Sequence, residues 1–233
     1  NNIEGIAGIL NGTTNFILTK MIEDGMTFED ALKLAQDNGY AEKDPTADIE
    51  GFDACRKVCI LASLAFGKHV YPNQVDTEGI TNITLEDVSY IQSANGVIKL
   101  LGQIKYISDD KIAAFVSPAV VFNGSQLASV SGVFNAILVR GDAVGDVCFY
   151  GQRAGKLATA SAVVADMVDC AVHVNKRKSF GWGPGSESYV VDEKSALEMP
   201  FYVRAKSSES KVKAIFNDVK FLTRVGQPSN EIA

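Results

Sequence analysis

The sequence predicts an α+β fold: a mixed or antiparallel sheet with helices over one face and its other face buried against a second copy of the chain. Three observations carry this. Several segments repeat apolar residues at the helical period, and between them a series of strand candidates follows one after another through short polar turns. Some of those candidates, Ala119-Val120-Val121-Phe122 among them, are wholly apolar. A sheet with one wet face would alternate, so a homodimer through the sheet is expected.

Taken in order, residues 3–10 read as a buried strand in which Gly5 and Gly8 permit close approach. Asn11-Gly12-Thr13-Thr14 supplies a turn and an N-cap for a helix over roughly 15–23. Backbone N–H groups at such a start can hold an anion, although a plain strand–turn–helix corner has the same pattern. Thr27 and Asp30 resemble a capping box, Phe28, Ala31, Leu32 and Ala35 give the next helix its apolar face, and Gly39 stands where a C′ glycine ends it. Pro45 makes 40–50 a loop. A buried helix then runs over roughly 52–66 to Gly67, and 71–83 is a short helical or irregular connection.

Thr84 and Asp87 repeat the capping pattern for a helix of about 85–94. Strands follow at 97–107, 112–122, 133–140 and about 146–150, with a hairpin turn at Asp110-Lys111 and another opened by Asp142. Gly151 to Lys156 is a second glycine-bearing turn, opening a helix of 156–172. From Asn175 to Ser186 the composition shifts to Lys, Arg, Ser, Gly and Pro, which marks a loop or linker. Beyond it a strand (200–204), a helix (about 209–218) and a strand (about 219–224) are expected.

The chain is 233 residues long, 46% hydrophobic and 21% charged, an ordinary composition for one substantial core. Its net charge of -6 argues against a nucleic-acid partner. No apolar run approaches the ~18–20 residues of a membrane span, and no signal-peptide pattern opens the chain. Cys55, Cys59, Cys148 and Cys170 form no C-x-x-C pair, which points to free thiols and a cytoplasmic protein. His69 and His173 are too few for a zinc site, and no metal centre is expected.

Chemistry concentrates in residues 40–57. Five carboxylates, Glu42, Asp44, Asp48, Glu50 and Asp53, precede Lys57, which follows Asp53 by one helical turn. At 100° per residue, Asp53 and Lys57 share a row with Ile60 and Leu64 that reads as inward-facing, while Arg56 and Ser63 share the solvent face. A charged pair on an inward row needs a partner or a cavity and is a site candidate. The alternative is a surface i,i+4 ion pair worth only ~0.3–0.5 kcal/mol. A rival function is a Ca²⁺ cage of Asp44, Asp48, Glu50 and Asp53 in a structural domain. Their order is not that of an EF-hand, and Lys57 would repel the cation.

The motifs Gly39-Tyr40-Ala41-Glu42, Asp44-Pro45-Thr46-Ala47-Asp48 and Glu50-Gly51-x-Asp53-x-x-x-Lys57 together resemble the signature of homoserine dehydrogenases. So do Gly8-Ile-Leu-Asn-Gly-Thr-Thr-Asn15 upstream and Ala158-Thr-Ala-Ser-Ala-Val-Val-Ala-Asp166 downstream. The resemblance implies oxidation of L-homoserine to L-aspartate 4-semialdehyde with NAD or NADP, or the reverse, on the route to threonine, methionine and isoleucine. It implies that Lys57 and Asp53 are catalytic, that Glu42 binds the substrate with Tyr40 and Asp48 close by, and that Gly12 and Thr13 lie beside it. The turn holding Gly151, Ala154 and Gly155 would approach the nicotinamide, with Arg153 where the family usually has glycine.

A nucleotide-binding domain would precede this segment, yet Gly5, Gly8 and Gly12 do not have G-x-G-x-x-G spacing. The expectation is therefore an excised catalytic portion. It divides into a catalytic domain (1–175), a linker (176–198) and a partial segment (199–233) that resembles an ACT regulatory domain. That last segment has Lys206-Ser-Ser-Glu209 in place of the usual Asp-Lys-Pro-Gly. A regulatory binding module built on 199–233 is a third possibility.

Overall fold

The structure is a computed structural model that describes residues 2–152, 156–176, 179 and 181–233. Its first half alternates one strand with helices: β1 (Ile3–Ile9), α1 (Gly12–Glu23), α2 (Phe28–Asp37), α3 (Thr46–Ile49), α4 (Phe52–Phe66), β2 (Asp76–Thr77) and α5 (Leu85–Ser93). Then come β3 (Gly96–Ser108), β4 (Lys111–Phe122), β5 (Phe134–Gly141), β6 (Gly145–Gln152) and α6 (Lys156–Val172). Short pieces finish the chain: β7 (Val190–Val191), α7 (Glu193–Ala196), β8 (Ala205–Lys206), α8 (Glu209–Lys213) and β9 (Glu231–Ile232).

The main sheet runs β2-β4-β3-β1-β5-β6, with β7 also on β4. β4, β3, β1, β5 and β6 are antiparallel, whereas β2 and β7 pair parallel to β4 at Phe115–Val116 and Ile112–Ala113. The fold is thus the expected α+β with a mixed sheet. β1 sits in the middle, and its glycines allow the approach: a Cβ on Gly5 would stand 3.1 Å from the Ile104 carbonyl oxygen, and one on Gly8 3.2 Å from that of Ala136.

Helices cover one face. Ile6, Ile98, Leu100, Ile104 and Val116 of the sheet meet Ile17 and Leu18 of α1, Val58 and Ala62 of α4 and Ile91 of α5 in one cluster. On the other face Ile9, Leu101, Val121 and Ala136 form a smaller cluster under Leu127 and Val130, from the β4–β5 connection.

Two expectations need correction. On α4 the inward side is Ala54, Cys55, Val58, Cys59, Ala62 and Ser63, while Ile60 and Leu64 are each 54% exposed. Ser63 is buried because its hydroxyl is satisfied, donating to the Cys59 carbonyl (2.7 Å) and accepting from Val70 N–H (3.0 Å). The row of Asp53 and Lys57 is therefore not packed inward. At the other end of the chain, the strands expected at 200–204 and 219–224 do not form, and α8 stops at Lys213. The chain there is held by side chains instead: Tyr202 and Arg204 bond Asp87 of α5, and Arg224 bonds Glu231.

Several described positions within 176–198 contact the earlier part of the chain. Gly183 bridges Lys68, Tyr189 is buried and accepts from Ile112 N–H (3.0 Å), and β7 extends the sheet. Among the described residues no helix is long and apolar enough to cross a membrane.

Candidate active site

The centre begins where β1 runs into α1. Asn11 is the N-cap, with extended backbone (φ -129°, ψ 118°) and a side-chain oxygen that accepts from Thr14 N–H at 2.9 Å. At Gly12 a Cβ would stand 3.0 Å from the Val133 carbonyl oxygen, so only glycine lets the helix start press against the approach to β5. The Thr13 hydroxyl donates to the Tyr40 carbonyl at 2.7 Å, and the Tyr40 ring meets Phe16 edge-on with centroids 5.1 Å apart. The end of the α2–α3 connection is thereby tied to α1.

Gly51, in the left-handed region (φ 82°), turns the chain from α3 into α4. That turn brings Asp48 and Asp53 toward Asn11, whose amide nitrogen donates to Asp48 Oδ1 (2.6 Å) and Asp53 Oδ2 (2.9 Å). Lys57 Nζ donates to the same Asp53 Oδ2 and to the Leu10 carbonyl (3.0 Å). The Lys57 and Asp53 side chains are 22% and 30% exposed. They are sheltered but open to one side.

That side is a cleft of about 400 Å³ between α4 and the β5–β6 edge, lined by Lys57, Ile60, Ile137, Phe149 and Gly151 among others. Ile60 is exposed because it borders this opening rather than the core. Asn135 reaches into the same region, and its Oδ1, close to Gly12, is buried without a hydrogen-bond partner among the described residues. A larger hollow of about 470 Å³ lies far from this chemistry, beside Ser89 and Arg224, and Arg224 is bound there to Glu231.

Of the residues singled out from sequence, Asp48, Asp53 and Lys57 converge, Gly12, Thr13 and Tyr40 adjoin them through α1, and Gly151 faces Lys57 across the cleft. Glu42 is exposed, and its carbonyl, not its carboxylate, is held by Gln36 (3.1 Å). Ala154 and Gly155 lie outside the described residues. The Ca²⁺ cage does not assemble: among the described residues no three acidic, histidine or cysteine side chains group as metal ligands. Asp44 accepts from the Thr46 hydroxyl and N–H, which hold its carboxyl below the usual range, while the Lys57 ammonium occupies Asp53.

Asn11 is the residue that sequence reading missed. Its signal was an asparagine ending a strand immediately before Gly-Thr-Thr: the oxygen is consumed by the cap, leaving two N–H donors to aim elsewhere.

Comparison with known proteins identifies the family. The family model of homoserine dehydrogenase matches residues 1–168. The chain belongs to that family. The homoserine dehydrogenase of Bacillus subtilis is 46% identical over 175 residues, 75% of this chain and 40% of that protein. A crystal structure of a homoserine dehydrogenase from Thiobacillus denitrificans superposes with a TM-score of 0.72 at 43% identity, covering 82% of this chain and 45% of that one. A hyperthermophilic archaeal homoserine dehydrogenase in complex with NADPH gives a TM-score of 0.61 at 32% identity, covering 73% and 48%. The chain thus spans less than half the length of these relatives.

Proposed function

We propose that this chain is the substrate-binding and catalytic portion of an NAD(P)-dependent homoserine dehydrogenase, interconverting L-homoserine and L-aspartate 4-semialdehyde in the cytoplasm. The observation that carries this reading is the Lys57 amine, sheltered between the Asp53 carboxylate and the Leu10 carbonyl and open toward a cleft. Converting an alcohol to an aldehyde requires a group that removes the hydroxyl proton as hydride leaves. Lys57, as the neutral amine, takes that proton at Nζ to become the ammonium and returns it in the reverse direction. Asp53 orients the amine. Asp48, with Glu42 from the loop above, supplies negative charge for the substrate ammonium, and the Gly12–Thr13 backbone faces the carboxylate end.

NAD or NADP, when bound, accepts or supplies the hydride. The residues present fit an approaching flat ring: Gly151 lies near the end of a sheet-edge strand, and among the described residues nothing stands within 4 Å of where a Cβ on it would be. Ala154 and Gly155 follow it in the sequence, and the family resemblance makes all three proposed contacts of the nicotinamide. The dinucleotide itself would be held by a further unit, because the match covers only 40–48% of the relatives. α6, with Leu157 87% and Met167 64% exposed, offers that unit an apolar surface. We also propose catalytic (1–175), linker (176–198) and ACT-like (199–233) divisions and a homodimer.

The test joins this chain to the nucleotide-binding portion of a relative such as the Bacillus subtilis enzyme and follows NAD(P)H oxidation by aspartate semialdehyde. Lys57→Ala is expected to lower turnover by about two to four decades, the usual contribution of an acid/base group. Undiminished turnover in the variant would move the proton to another group. A folded wild-type fusion without turnover would overturn the reading.

A further inference from the structure

The Asn11 side chain touches three elements of the centre at once. Its oxygen caps α1 through Thr14 N–H (2.9 Å), and its nitrogen divides its two hydrogens between Asp48, on α3, and Asp53, on α4. The acceptor on Asp53 is Oδ2, the same oxygen that receives Lys57 Nζ. Asn11 is 5% exposed; its bond to Thr14 is buried and those to Asp48 and Asp53 are half-buried. The Thr14 N–H fixes which end of the amide is oxygen, and the two carboxylates are consistent with nitrogen at the other end.

Two carboxylates drawn to one point repel each other unless a donor lies between them. α3 is only four residues long and no side chain caps it, so it has little of its own to hold Asp48 in place. Lys57 is bonded to Asp53 and to Leu10, and Leu10 is the residue before Asn11. The end of β1 therefore holds the amine by a backbone carbonyl and its carboxylate by a side-chain amide. A rotation of Asp53 away from Asn11 would carry the amine with it.

We propose that Asn11 is a positioning residue of the centre, whose amide ties Asp48 to Asp53 and fixes the carboxylate on which the Lys57 ammonium rests. This rests on the reading of Lys57 as the proton-transfer group, but its test needs neither cofactor nor substrate.

Serine and aspartate both serve well as N-caps, so Asn11→Ser and Asn11→Asp keep α1 capped while removing the donor to the carboxylates. Serine is too short to bridge them, and aspartate adds a third negative charge. The measurement is competitive labelling of lysines by acetic anhydride across a pH series, read by mass spectrometry, with exposed Lys33 and Lys43 as internal standards. Hydrogen exchange of residues 44–51 and 12–23 is followed in the same samples.

In Asn11→Asp, labelling of Lys57 at fixed pH is expected to slow by about tenfold relative to the standards, the equivalent of one unit of added proton affinity. In Asn11→Ser, exchange at 44–51 is expected to quicken by about tenfold while 12–23 stays protected, since only the tie to α3 is lost. If both variants label Lys57 and exchange 44–51 as the wild type does, Asn11 is a helix cap and nothing more, and the proposal falls. Lys57→Ala turnover tests the underlying reading separately, so the two can fail independently.

Discussion

Lys99 is buried on the face of the sheet away from most of the helices, 2% exposed, in a strand whose neighbours are Ile98 and Leu100. Its Nζ donates to Asn15 Oδ1 (3.1 Å) and to the Val130 carbonyl (2.6 Å), while Asn15 itself donates to the carbonyls of Val130, Gly132 and Phe134. The two side chains fasten the β4–β5 connection to α1, behind the helix start that borders the cleft. Burial pushes the Lys99 amine down to about 8 from 10.5, against the pull of the Glu23 charge. In the unfolded chain it keeps its proton up to the ordinary value, so between about pH 8 and 10.5 the unfolded state binds more protons and stability rises with pH. Below pH 8 the cost of the buried charge is felt in full. Urea unfolding across this range should show a gain of about 3 kcal/mol in the wild type that Lys99→Met lacks. Parallel pH dependences in the two proteins would mean that Lys99 titrates as a solvated lysine. At this scale the Asp53–Lys57 spacing was legible, because four residues along a helix always bring two side chains together. The roles of Asn11 and Lys99 were not, because their partners are distant in the sequence.

α3 depends on a glycine thirty residues after it. A Cβ on Gly79 would stand 2.1 Å from the Ile49 carbonyl oxygen and 2.5 Å from Glu50 Cα, and Ile80 N–H bonds that same carbonyl (2.8 Å). The backbone carrying Asp48 lies directly against this turn. Gly79→Ala is therefore expected to destabilise the protein by about 1–3 kcal/mol and to move the amide resonances of 46–53. Unperturbed resonances there would show that the contact yields without disturbing the centre. Caps and stops were readable at the element scale: Thr27 caps through Asp30, Thr84 and Asp87 form a reciprocal box, and Gly39 and Gly67 end their helices at positive φ. Each is a local bond between near neighbours. Asp87, however, also receives Arg204 Nε (2.8 Å) and Tyr202 (2.9 Å), and these contacts override the strand pattern of 200–204. Burial of Asp87 works against its charge, but Arg204 and Thr84 outweigh it and hold the carboxyl below its ordinary range.

Over the whole molecule, the free edge of the sheet carries Phe149 and Tyr150, 61% and 60% exposed, and the ring of Tyr150 stacks on Phe134 with centroids 5.1 Å apart. Phe122, at the end of β4, is 57% exposed. Such aromatic surface favours the homodimer proposed above. Light scattering at micromolar concentration should give twice the monomer mass; a monomer would count against the dimer. By itself the sequence determined the helix and strand periods, the caps, the succession of antiparallel strands and the family signature, because each depends on residues close together along the chain. Only the tertiary structure decided that Asp48, Asp53 and Lys57 meet at Asn11, that Asp44 turns to Thr46 instead, and that the Lys57 row faces a cleft instead of the core. Those outcomes rest on where β1 ends relative to α3, α4 and the β5–β6 edge. Hydrogen bonds and packing between distant segments fix that geometry, and they leave no periodic trace in the order of residues.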